Sequence, residues 1–85
     1  MYLEIITPEE KKYTGNISLI QVPGSEGLFE VLHNHAPIIS TLENGKIKII
    51  TEDEKTIKFV LTGGGIIEVN NNNIIVLAES LKEAG

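Results

Sequence analysis

Apolar residues fall along this chain in short runs of about five, each closed by a turn signal. Leu3-Glu4-Ile5-Ile6-Thr7 stops at Pro8, and Glu9-Glu10-Lys11-Lys12 forms a charged connection. Tyr13 to Val22 is a longer run with a bend expected at Gly15-Asn16. Leu28 to Leu32 and Ile38 to Leu42 follow, separated by Asn34-His35-Ala36-Pro37. Glu43-Asn44-Gly45 is a turn, Lys46-Ile47-Lys48-Ile49 alternates with period two, and Thr51 to Lys55 is a charged hairpin loop. Ile57 to Leu61 is broken by Gly63-Gly64-Gly65, and Ile66 to Val69 resumes. Asn70 to Asn73 makes the last turn, because asparagine tolerates left-handed backbone, and Ile74 to Ala78 is the last run. Short strands at roughly ten-residue spacing predict an all-β fold, an antiparallel sandwich or barrel. Only Glu79 to Ala84 could begin a helix, and six residues are too few to hold one alone.

Several runs are apolar at both parities: Leu19 with Ile20, Ile49 with Ile50, Phe59 with Val60, Ile66 with Ile67, and Ile74 through Leu77. A strand with one wet face should alternate. Apolar residues on both faces mean either close burial within the domain or a docking surface outside it, and in a domain this small the second takes a substantial share.

The 85 residues, 1–85, make one domain. A chain of this size buries only about 60–65% of its unfolded surface. It has no cysteine, so disulfides and thiolate zinc sites cannot reinforce a thin core. The net charge of −5 and the lack of a basic stripe exclude a phosphate-tracking nucleic-acid binder. No run approaches the roughly 20 apolar residues of a membrane span. The N-terminus lacks the basic and apolar regions of a signal peptide.

Catalytic chemistry finds little support. His33 and His35 are the only histidines, and no third ligand stands beside them, so no metal site is expected. No serine lies in a G-x-S-x-G setting. Gly63-Gly64-Gly65 lacks the Lys of a phosphate loop and reads as a bulge where another backbone comes close. No cofactor or small-molecule substrate is implied.

Pro23-Gly24-Ser25-Glu26-Gly27, the Leu28 to Leu32 strand and Asn34-His35-Ala36-Pro37 stand in that order, with two loops expected at the same end of a sheet. This order resembles the epsilon subunit of the bacterial F-type ATP synthase. Leu3 to Glu9, Tyr13-Thr14-Gly15, Asn34 to Ser40, Gly45-Lys46-Ile47, Gly63 to Val69 and Ile74 to Glu79 are similar to successive motifs of that family.

The resemblance implies a flattened antiparallel β-sandwich of about ten short strands, placed in the rotor. It would dock against the gamma subunit and rest on the polar loops of the c-ring, carrying torque without catalysis. It also implies a peripheral place at the cytoplasmic face of the bacterial inner membrane. Ser25, Glu26, Leu28, Asn34 and His35 are the partner-binding residues that it suggests. Leu28 departs from the acidic residue of some members, so an apolar contact is expected there. Typical members continue into two C-terminal helices that inhibit ATP hydrolysis and in some cases bind ATP. Glu79 to Gly85 reaches only the start of that region, which implies a short form lacking both properties. The competing readings are a free-standing β-sandwich ligand- or protein-binding module, and an enzyme using His35 with Glu26 or Glu30.

Overall fold

The computed structural model describes residues 1–84, which form seven strands. They are β1 (Tyr2–Ile6), β2 (Lys11–Gly24), β3 (Gly27–Leu32), β4 (Ile38–Leu42), β5 (Gly45–Thr51), β6 (Thr56–Asn70) and β7 (Asn73–Glu83). All belong to one hydrogen-bonded sheet folded over on itself.

Seven strands rather than ten result because three of them serve both layers. β2 pairs with β1 through residues 11–16 and with β5 and β3 further on. β6 pairs with β5 through its first half and with β4 through its second. β7 pairs with β1 through Asn73–Leu77 and continues along the first half of β6. Counted by halves, these three raise seven to the ten strands that the resemblance implied. The segment from Glu79 that could have begun a helix is strand as far as Glu83. There Ser80, Leu81, Lys82 and Glu83 pair with Thr62, Leu61, Val60 and Phe59. Cross-strand bonds along a preformed edge outweigh the helical tendency of six residues.

Two neighbours on every side close the ring β1–β2–β5–β6–β7. The pairs are antiparallel except β1–β7, which is parallel. β3 hangs from this ring on β2, while β4 pairs along β6 and reaches β2 at Gly24–Leu42.

The triple glycine makes the bend in β6. Gly63 and Gly64 have φ of +82° and +72°, in the region that side-chain-bearing residues avoid. The register to β7 shifts between Thr62 and Gly65, and a Cβ on Gly65 would lie 2.5 Å from the Leu77 carbonyl oxygen. The expected bulge with close backbone approach is what forms.

The core is aliphatic. Leu3, Ile5, Ile20, Val22, Val31, Ile47, Ile49, Leu61, Ile67 and Val76 are fully buried in one cluster. At each doubly apolar pair one residue enters this cluster and its neighbour faces out: Ile20 in and Leu19 partly out, Ile67 in and Ile66 out.

Candidate docking site

Three surface regions carry the candidates. The first is the β2–β3 turn. Gly24 pairs with Gly27, so the two-residue turn is Ser25-Glu26, while Pro23 lies inside β2, buried and opposite Leu28. The tight turn thus sits two residues later than Pro23-Gly24 suggested. Ser25 is tied to β4: its N–H donates to the Thr41 carbonyl at 3.2 Å, and its Oγ lies 3.0 Å from Thr41 Oγ1. Glu26 is exposed, and Leu28 projects with 65% of its surface open.

The second region is the β3–β4 loop. His35 N–H donates to the Leu32 carbonyl at 3.1 Å, and His35 Nδ1–H donates to the Ala36 carbonyl at 2.7 Å. A carbonyl only accepts, so this contact sets the tautomer and leaves Nε2 as the free face of the ring. Asn34 and His35 lie at the far end of β3 from Ser25 and Glu26. Six residues of strand separate the ends, about 17 Å at the usual rise. The two loops therefore do not share an end of the sheet, because a single strand joins them. This also parts His35 from Glu26, while Glu30 is engaged by Gln21 Nε2 at 3.4 Å.

The third region is a row across the outer face of β4, β6, β7 and β1. Thr41 stands opposite Ile66, Ile66 opposite Leu77, and Leu77 beside Ile6. The next row is Ile39, Glu68, Ile75 and Glu4. Ile39, Leu77 and Ile66 are 74%, 49% and 43% exposed. The first row runs into a shallow groove of about 480 Å³ over the glycine bulge, bordered by Thr7, Pro8, Gly63 and Glu79. Ile66 and Leu77 stood among the doubly apolar runs. Ile6 and Ile39 stand in doublets of the same kind, Ile5-Ile6 and Ile38-Ile39, which were not singled out, and their cross-strand partners place them in these rows.

Local electrostatics are mild. A hydrogen bond to the Glu4 carboxylate, 2.8 Å away, raises Lys11 above the ordinary ammonium range. Burial raises the Tyr13 phenol, and the Thr51 hydroxyl lowers the Asp53 carboxyl. Among the described residues, no three His, Asp or Glu side chains gather as metal ligands. No helix there is long and apolar enough to cross a membrane.

A thin all-β shell with projecting turns and a largely apolar outer row defines a small β-sandwich domain. The chain belongs to the ATP synthase delta/epsilon chain β-sandwich domain family, whose model matches residues 1–84.

It is similar to the ATP synthase epsilon chain of Pelotomaculum thermopropionicum, 43% identical over 82 residues, covering 96% of this chain and 60% of that one. It is also similar to the epsilon chain of Caulobacter vibrioides, 36% identical over 84 residues, covering 99% of this chain and 95% of that one. The fold matches a chain in the cryo-EM structure of the Euglena gracilis mitochondrial ATP synthase (OSCP/F1/c-ring, rotational state 1), with a TM-score of 0.86 at 20% identity. That match covers 95% of this chain and 51% of the other. A chain in the central stalk/c-ring structure of the Tetrahymena thermophila enzyme matches with a TM-score of 0.77 at 20% identity, covering 95% and 64%.

Proposed function

We propose that this chain is a non-catalytic subunit of the central stalk of a bacterial F-type ATP synthase. It turns with the rotor and couples proton-driven rotation to ATP synthesis. It docks on the gamma subunit through the outer row Ile6, Leu77 and Ile66, and reaches the c-ring's polar loops through the Ser25–Leu28 end. Its place is peripheral, on the cytoplasmic face of the inner membrane as part of the synthase.

The outer row carries this reading. Ile66 and Leu77 face each other across strands with nearly half their surface in water. Such side chains are stabilised by a partner that removes them from solvent, at roughly 25 cal/mol per Å² of apolar area. Membership of the family supports gamma as that partner. A torque-bearing element also needs stiffness, which the closed ring of strands provides.

The test is calorimetric titration of the chain with its cognate gamma subunit. A standard interface of about 1,600 Å² predicts one-to-one binding, sub-micromolar, with a large negative heat-capacity change. Failure to bind folded gamma, alone and with the c-ring present, overturns the reading.

A further inference from the structure

The β3–β4 loop is held from a distance by one side chain. The backbone N–H of Asn34 donates to Asn72 Oδ1 at 2.7 Å, and Asn72 Nδ2 donates back to Asn34 Oδ1 at 3.1 Å. These residues are 38 positions apart. Asn72 lies in the two-residue turn between β6 and β7, and its carbonyl accepts the Tyr2 N–H at 2.9 Å. One residue thus ties that turn to β1 through its main chain and to the β3–β4 loop through its amide. The loop's other hydrogen bonds are local, from His35 to Leu32 and Ala36.

Both ends of the clip have left-handed backbone, with φ of +64° at Asn34 and +62° at Asn72. That conformation costs most residues roughly 1–2 kcal/mol, and glycine and asparagine tolerate it best. The reciprocal bond needs a donor and an acceptor on one short side chain, which glycine lacks. Asparagine meets both demands at both positions. Beside the clip, a polar groove of about 250 Å³ is bordered by Asn34, His35, Pro37, Asn71 and Asn72.

We propose that Asn72 is a positioning residue for partner binding. It holds the Asn34–Pro37 loop, which runs directly into the exposed Ile39 of the outer face, in the geometry that presents His35 Nε2 to gamma; this rests on the docking reading above and extends its gamma contact from the outer row to the adjoining loop. The clip prepays the ordering of the loop. Without it the docking-competent loop is a fraction of the population, and the apparent Kd rises by the inverse of that fraction.

Asn72→Gly and Asn72→Asp separate the clip from backbone strain. Glycine keeps the turn and removes the amide. Aspartate keeps an acceptor for the Asn34 N–H, and the Asn34 amide can turn over to donate to its second oxygen. Hydrogen exchange at the Asn34 amide and gamma affinity are measured on the wild type and both variants. N72G is expected to lose Asn34 protection and bind gamma about tenfold more weakly, the value for a loop competent a tenth of the time. N72D is expected to retain protection and bind within about twofold.

Unchanged protection in N72G overturns the clip. Lost protection with wild-type affinity overturns its role in docking and leaves it a fastening of the fold. Wild type that fails to bind gamma overturns the docking reading itself, and the proposal with it. If N72G unfolds, the N72D pair of measurements still decides: with the fold intact, lost protection at wild-type affinity, or lost affinity with protection retained, counts against the proposal.

Discussion

The two outer faces of this sandwich start from the same sequence signal and end differently. On the β4–β6–β7–β1 face, Thr41, Ile66, Leu77 and Ile6 make an apolar row. On the β3–β2–β5–β6 face, one row is Leu32, Leu19 and Ile50, but the next is Glu30, Gln21, Lys48 and Lys58. Leu19-Ile20 and Ile66-Ile67 look alike in sequence, yet Leu19 is partly covered while Ile66 stands open beside Leu77. Each doublet lies in a largely apolar row, so the next row makes the difference: Ile39 and Ile75 continue the apolar surface on the first face, whereas Glu30, Gln21, Lys48 and Lys58 end it on the second. The contrast also assigns direction: the first face suits a dry interface, and the second, rich in lysine, suits water.

Neighbouring residues on the first face break this comparison most sharply. Ile67 is fully buried, so Ile67→Ala should cost roughly 2–5 kcal/mol in urea unfolding. That is a large share of the few kcal/mol to about 13 kcal/mol expected for a domain of this length. Ile66→Asp, one residue away, should leave urea unfolding within about 1 kcal/mol but weaken gamma binding about thirtyfold or more, as a charge entering an interface core does. Equal stability losses for the two would erase the distinction between inner and outer positions.

On the second face the effects shrink. Lys48 stands directly opposite Lys58. Lys48→Glu should replace a like-charge pair and stabilise the domain by about 0.2–1 kcal/mol, while gamma affinity stays within about threefold. A large drop in affinity would move the docking surface to this face.

The sequence was legible where structure is local. Pro8, Glu43-Asn44-Gly45 and the Asn70–Asn73 turn ended strands close to where they were expected, and Ile38 to Leu42 matched at both ends. Asn71 and Asn72, with φ of +51° and +62°, adopt the left-handed turn that their residue type foretold. What escaped was long-range. Pairing of β1 with β7 depends on contacts some seventy residues apart, which no local pattern encodes. The Glu79–Glu83 strand exists because β6 offers it an edge. Among the candidate site residues, Ser25, Glu26 and Leu28 stay together and Asn34 and His35 stay together, but strand geometry sends the two groups to opposite ends. Asn72 was visible only as a turn former. Its second role needs the fold to bring Asn34 beside it.

The parallel pair β1–β7 has a consequence in time. A ribosome releases Leu3 and Ile5 some seventy residues before Ile74 and Val76, yet these strands are neighbours in the closed ring. The nascent chain can pair β2 with β3 and β5 with β6 as they emerge, but the ring stays open until β7 arrives. Folding is then dominated by one late, non-local step, in the milliseconds-to-seconds range of all-β topologies rather than microseconds. Until that step, the edges of β1 and β6 are unpaired templates for other chains. A cell making this subunit therefore has a short interval after each synthesis in which the domain is at its most adhesive.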